Sequence, residues 1–455
     1  MHCLWGVCGK QLACHLGLHN SQAPRDAEAL NPFSPLHRRV RWDEGGRNMW
    51  EEDFGDEAAD SKHVDELTTA DMDEALSACN VDLAEIRNGA KLLKEEKLSR
   101  PPAALHEAFR PEEVKPWKEG QFEPIEKVQD AIRNHGQVHV MRDVADGRLV
   151  AVKKMPNRWV RASHAEFVRR YPCETEQPWQ DIGCNHFLST NGYSYGCQLL
   201  GVYKAEKHTA VVTEYASEGD LFSWCGTPTN APPGSEREKL LRPLAIQIVK
   251  GVQQLHEMAI VHRDISLENL VMSKGKSQHT NVRVIDFGMS STARYFRSRV
   301  SGKPSYQAPE FYTDKAYDAF LTDAFSVGVS LYAAFVKDYP WMSTKPGGCK
   351  CFEYFKRNGF RKYIAKRKLR GFGGKAVADV MSEPLVRFFE GLLAIDPAER
   401  LTLGESSWEG ARRSALDEPW LSGGGPAAAP PEPDAPPPAP PASAAALAQL
   451  TFNML

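Results

Sequence analysis

Four short motifs constrain this chain more than any other feature of its sequence. Lys153 closes the apolar run Val150-Ala151-Val152. His262-Arg263-Asp264-Ile265-Ser266-Leu267-Glu268-Asn269 follows in the second half of the chain. Asp286-Phe287-Gly288 comes directly after the apolar run 282–285, and Ala308-Pro309-Glu310 stands 22 residues beyond Asp286. Any one of these motifs arises often by chance. All four in this order do not, and a fold for this chain has to accommodate the set.

Composition narrows the class further. The chain has 455 residues, 42% hydrophobic and 25% charged, enough for at least one large core. Its length suits two or three domains, or one large domain with tails. A formal charge of -3 lacks the basic excess of a dedicated nucleic-acid binder, so no nucleic acid is expected as a partner. No run of about 18 apolar residues marks a membrane span. The first residues lack the basic-then-apolar order of a secretory signal. The ten cysteines are scattered, which predicts reduced thiols in the cytoplasm or the nucleus. Cys3, Cys8, Cys14, His15 and His19 lack a C-x2-C knuckle, and no zinc site is expected there.

Residues 1–42 are polar and turn-rich, with Pro24, Pro32 and Pro35. Residues 43–74 carry thirteen Asp and Glu against Arg47 and Lys62. Such a run predicts a solvated, self-repelling segment, or one that docks on a basic stretch. Leu76, Val81, Leu83, Ile86, Leu92 and Leu93 predict a helix within 69–98, ended by Pro101-Pro102. From Phe122 the pattern changes: Leu149, Ala151 and Lys153 share one face of a strand, and Val150 and Val152 the other. Asp146-Gly147 marks a hairpin turn between this strand and the run at Val138 and Val140. Leu241, Leu244, Ala245, Ile248, Val252 and Leu255 recur at helical spacing. Residues 423–441 are almost entirely Gly, Ala and Pro, a linker or disordered end. The expected layout is an extension over 1–121, a folded domain over 122–421 and a tail over 422–455.

In order and spacing the motifs resemble the signature set of the eukaryotic protein kinases of serine/threonine type, over residues 122–421. The resemblance implies an α+β fold of two lobes: a small antiparallel β-rich lobe to about residue 214, and a larger, mainly helical lobe beyond it. It implies transfer of the γ-phosphoryl group of ATP to serine or threonine hydroxyls of a protein, with ATP and magnesium as cofactors. That reaction needs dispersed negative charge held and two oxygens brought in line. By resemblance Lys153 holds the α- and β-phosphates, while Asn269 and Asp286 bind magnesium through hard oxygens. Asp264 is the catalytic base, and His262 holds the Asp286 region. Gly136, Val138 and Ala151 fall on the nucleotide side. Thr213 is the gatekeeper, Glu214 and Ala216 offer backbone groups to adenine, and Asp220 reaches the ribose. Asp323 supports the catalytic loop, Arg400 pairs with Glu310, and Trp420 closes the domain. The catalytic loop lacks the AAR or RAA sequence of tyrosine kinases, which favours serine/threonine specificity.

The sequence departs from the pattern in four places. In the glycine-rich loop only Gly136 survives; Ala131 and Arg133 replace the other two glycines, and Arg133 is a candidate to bring charge to the phosphates. The acid that pairs with the strand lysine from helix C is best read as Asp181, with Glu176 and Glu174 as alternatives; Pro178 suggests that the helix begins there. Ser266 replaces the lysine usual two residues after the catalytic aspartate, and Lys303 replaces the threonine after Gly302. Read together, the last two form an exchange, with Lys303 bringing the ammonium and Ser266 the hydroxyl to the same volume beside Asp264. Read separately, they fit a weakened enzyme.

Residues 289–301 offer Ser290, Ser291, Thr292, Tyr295, Ser298 and Ser301 as phosphoacceptors for an upstream activating kinase, with Arg263 expected to pair with the phosphate. Lys356, Arg357, Arg361, Lys362, Lys366, Arg367, Lys368 and Arg370 form a basic stretch that reads as a solvated helical face, or as a surface for a protein substrate of acidic character. The competing reading of the whole is a pseudokinase, a nucleotide-binding or scaffold module. A small-molecule kinase is the weakest option, because the long segment ahead of Ala308-Pro309-Glu310 normally seats a polypeptide.

Overall fold

Alternating apolar residues build the first lobe. Strands β1 (Lys115–Pro116), β2 (Phe122–Ala131), β3 (Gly136–Asp143) and β4 (Leu149–Pro156) are followed by helix α1 (Pro178–Thr190), then β5 (Leu199–Lys204) and β6 (His208–Glu214). The computed structural model describes residues 100–422 except 132, 228–230, 275–279, 298 and 409–411. The acidic zone, the helix expected within 69–98, the first four cysteines and the tail from 423 lie outside the described residues.

The turn between β3 and β4 forms where Gly147 takes φ +78°, a conformation that glycine adopts without a Cβ penalty. The carboxylates of Asp143 and Asp146 brace it by accepting from the N–H groups of Ala145 and Arg148. The period of two then sorts the side chains of β4. Val150 and Val152 are fully buried against Met141, Tyr203 and Val212, whereas Ala151 and Lys153 are half-buried on the other face. The sheet order is β1-β5-β6-β4-β3-β2, antiparallel except where β1 pairs with β5.

In the second lobe, α2 (Leu221–Gly226) and α3 (Ser235–Glu257) precede two small antiparallel pairs: β7 (Leu270–Lys274) with β8 (Thr280–Val284), and β9 (Tyr295–Arg297) with β10 (Ala316–Asp318). Helix α4 (Ala319–Val336) and α5 (Glu383–Leu392) follow. The apolar positions of α3 named from its periodicity are all buried in one large cluster. Helix α4 is long and apolar enough to cross a membrane by length and composition, yet 94% of it is buried inside the lobe. It is the lobe's core helix.

The packed unit reaches ahead of Phe122, the boundary expected from composition. The single helical turn Leu105–Ala108 lies across α1. Leu105 is buried in the large cluster with Cys184 and Phe187, while Phe109 joins Trp179 and Ile182 under the sheet. Gly183 makes this approach feasible, since a Cβ there would stand 2.1 Å from the carbonyl oxygen of Leu105.

Candidate active site

Strand β4 delivers Lys153 to the cleft side of the sheet, where three acids meet it. Its ammonium lies 3.0 Å from Asp181 Oδ2, 3.1 Å from Asp286 Oδ1 and 3.8 Å from Glu176 Oε1. Burial alone would push the lysine pKa down, but the charges of Asp181, Asp286 and Glu176 hold it well above the ordinary range. Asp181 sits in the first turn of α1, which starts at Pro178. Of the three acids weighed for this place, Asp181 makes the hydrogen bond and Glu176 stands just outside it. Glu174 has no contact with Lys153 among those described. Burial, reinforced by the charge of Asp286, raises the pKa of Glu176, and Asn134 Nδ2 donates to its Oε1 at 2.8 Å.

Asp286 follows β8 with φ +68°, a sparsely populated conformation that only a well-determined surrounding holds in place. Here the surrounding is α1: Asp181 Oδ1 accepts from Phe287 N at 3.0 Å, and Gln177 N donates to Gly288 O at 2.9 Å. Burial raises the pKa of Asp286, but Lys153 outweighs it and keeps the carboxylate ionised.

The loop after α3 is suspended from Asp323 of α4. The carboxylate of Asp323 accepts from the backbone N–H groups of His262 and Arg263 at 2.7 and 2.8 Å. His262 Nε2 meets Ile285 O at 3.1 Å, which ties this loop to the strand leading into Asp286. Asn269 Nδ2 donates to Asp264 O at 2.8 Å and approaches Asp264 Oδ2 at 3.3 Å. Lys303 Nζ donates to Ser266 Oγ at 2.6 Å and lies 3.7 Å from both Asp264 Oδ2 and Glu268 Oε2. Asp264 Oδ1 is buried without a hydrogen-bond partner. Arg133 reaches down from the β2–β3 turn, with Nη1 3.0 Å from Asp264 Oδ2.

The side chains also bear on magnesium. The amide nitrogen of Asn269 is fixed on Asp264, which leaves its carbonyl oxygen as an acceptor, and Asp286 is held anionic. Magnesium takes one or two such protein oxygens with phosphate and water, so the residues present fit it. On the adenine side, Ala151 pairs across the sheet with Thr213 and with Val140, and Lys153 with Val138. Strand β6 ends at Glu214, so Ala216 lies just past the strand. Asp220, expected at the ribose, caps α2, its Oδ1 accepting from Ser223 N at 2.6 Å. Gly136, expected at the phosphates, has a packing reason of its own: a Cβ there would stand 2.3 Å from Lys154 O.

The sequence profile of the protein kinase domain matches residues 134–421. The chain belongs to the protein kinase family. Curated relatives agree with the serine/threonine type. "Serine/threonine-protein kinase SAPK3" of Oryza sativa subsp. indica is 33% identical over 200 residues, 44% of this chain and 54% of the relative. "Serine/threonine-protein kinase SAPK5" of Oryza sativa subsp. japonica is 28% identical over 287 residues, 63% of this chain and 68% of the relative. "Serine/threonine-protein kinase SRK2F" of Arabidopsis thaliana is 37% identical over 142 residues, 31% of this chain and 39% of the relative. The chain thus spans about half the length of the first of these, 54%.

Elsewhere in the kinase domain, Arg400 holds Glu310 with two hydrogen bonds at 2.5 and 2.9 Å, and buried Trp420 donates to Glu238. Arg263, expected to pair with a phosphate on residues 289–301, packs against that same segment. Its guanidinium lies 4.1 Å from the centre of the Phe296 ring and donates to Met289 O at 3.4 Å. Of the hydroxyls offered as phosphoacceptors, Ser290 and Ser301 are buried, with bonds to His262 O and Arg263 O. Thr292 donates to Ala103 O at 2.8 Å, and Tyr295 is exposed. Ser298 lies outside the described residues. The basic stretch divides. Arg367 is buried on Asp338 and Arg361 pairs with Glu383 and Glu390, while Phe352, Phe355, Phe360 and Tyr363 are core.

Sequence reasoning passed over Asn134, the Leu105–Phe109 strap and the reach of Arg133 to Asp264.

Proposed function

We propose that this chain transfers the γ-phosphoryl group of ATP to serine or threonine hydroxyls of protein substrates. One observation carries the reading: four parts of the chain converge, with Lys153 held by Asp181 and Asp286, and the loop of Asp264 and Asn269 tied alongside where Asn269 O accepts from Ile285 N at 3.0 Å. In this reading Lys153 binds the α- and β-phosphates, anchored by α1 so that the ammonium does not wander. Asp286 and the amide oxygen of Asn269 hold magnesium, which when bound neutralises charge on the phosphates. Asp264 accepts the proton of the substrate hydroxyl. Its main-chain carbonyl and Oδ2 are placed by Asn269, its loop is suspended from Asp323, and Lys303 supplies positive charge at the same carboxylate.

A second reading, a nucleotide-binding scaffold, is favoured by the Arg133 contact, since a guanidinium covers Asp264 Oδ2 while Oδ1 is buried. Transfer of labelled phosphate from magnesium ATP to a generic protein substrate separates the two. Catalysis predicts signal from the wild type and its loss in Asp264→Asn. Equal background from both proteins would leave the scaffold.

A further inference from the structure

The β2–β3 turn is pinned at its base and carries a cation beside the pin. Asn134 is buried; it donates to Glu176 and accepts from Gly136 N at 3.2 Å. Gly136 is pressed against the backbone of Lys154. The turn is therefore clamped, while the Arg133 side chain, 42% exposed, crosses the cleft to Asp264 Oδ2 at 3.0 Å. Lys303 Nζ stands 3.7 Å from that same oxygen, so two cations converge on one carboxylate oxygen.

This arrangement has to change for the proposed phosphotransfer, on which the inference rests. Asp264 Oδ1 is buried, so a substrate hydroxyl reaches the carboxylate through Oδ2, and the guanidinium must first vacate that oxygen. A stronger anion within reach of the same side chain would draw it off. The terminal phosphate of ATP is such an anion, and its oxygens match the planar fork of arginine. ADP has none in that place. A glycine at this position in the family serves through close backbone approach; here the side chain supplies a charge.

We propose that Arg133 is a γ-phosphate-binding residue. It caps Asp264 in the absence of ATP, moves its guanidinium to the γ-phosphate when ATP binds, and thereby opens Asp264 to the substrate hydroxyl. The chain then distinguishes ATP from ADP through a residue of its glycine-poor loop.

Titration calorimetry of magnesium ATP and magnesium ADP tests this on the full chain, comparing wild type with Arg133→Gln and Arg133→Lys. Arg133→Gln is expected to weaken ATP by about tenfold while ADP stays within about twofold, the scale of one charge-assisted contact. Arg133→Lys, which keeps the charge without the fork, falls between. ADP affinity reports that each variant is folded, and Arg133→Gly replaces Arg133→Gln if that protein melts. Parallel losses for both nucleotides in a folded variant would overturn the assignment, as would tighter ATP binding, which would make Arg133 a plug alone. A wild type that binds neither nucleotide would overturn the phosphotransfer reading as well; one that binds ATP while the variants show parallel losses overturns only the role of Arg133.

Discussion

Ser266 and Lys303 meet at the foot of Asp264, 2.6 Å apart, although 37 residues separate them in sequence. The contact supplies what an exchange of positions requires: one ammonium and one hydroxyl in a single small volume beside the carboxylate. Each side chain is then adapted to the other, and single replacements break the pair in different ways. Lys303→Thr removes the cation; Ser266→Lys sets a second ammonium against the first. Each single variant is expected to lower kcat/KM by about a hundredfold, in the range for losing one electrostatic contact to a reacting group. The double variant should recover at least about tenfold over the worse single one, because residues in contact are not additive. A complete double-mutant cycle in kcat/KM measures this, and losses that simply add would argue for two unrelated substitutions.

Helix α1 is the element on which the site turns, because it holds Asp181 on one side and the Leu105–Ala108 turn on the other. The strap reaches both lobes, with Leu105 in the large core and Phe109 beneath the sheet. It also touches the segment after Gly288 through Thr292 and Ala103. A methyl group at position 183 would collide with the backbone of Leu105, so Gly183→Ala must displace either the strap or the helix that carries Asp181. It is expected to lower both the melting temperature and phosphotransfer. Leu105→Ala, which empties a core site, should cost about 2–5 kcal/mol in urea unfolding. A Gly183→Ala protein that melts and turns over like the wild type would show that the strap does not position α1.

At the scale of the whole molecule, a buried histidine ties α3, α4 and the C-terminal region together. His256 lies 3.2 Å from Asp323 and 2.6 Å from Glu405. Burial would lower its pKa, but hydrogen bonds to Asp323 and Glu405 outweigh burial and raise it to about 9. The ordinary value is 6.5, so the proton is held more tightly in the folded chain than in the unfolded one. The stability this contributes, on the order of 3 kcal/mol, is complete below about pH 6.5 and is lost as pH rises through about 9. Urea unfolding from pH 6 to 10 should show that decline in the wild type and a flatter curve in His256→Gln; a flat wild-type curve would contradict the network. The sequence alone exposed what is local. Lys153, Asp264, Asn269 and Asp286 lie in short runs whose backbone is set by adjacent strands and turns, and Pro178 marks the start of α1 through its fixed φ and missing N–H. What faces what across the cleft was decided by packing. Arg133 on Asp264, Asn134 on Glu176, Arg263 on Phe296, Asp220 at a helix cap and Leu105 under α1 each join residues through side-chain rotamers or close approaches that no local pattern encodes. A motif fixes which groups a loop carries, whereas burial and the choice among several nearby partners fix where each group points.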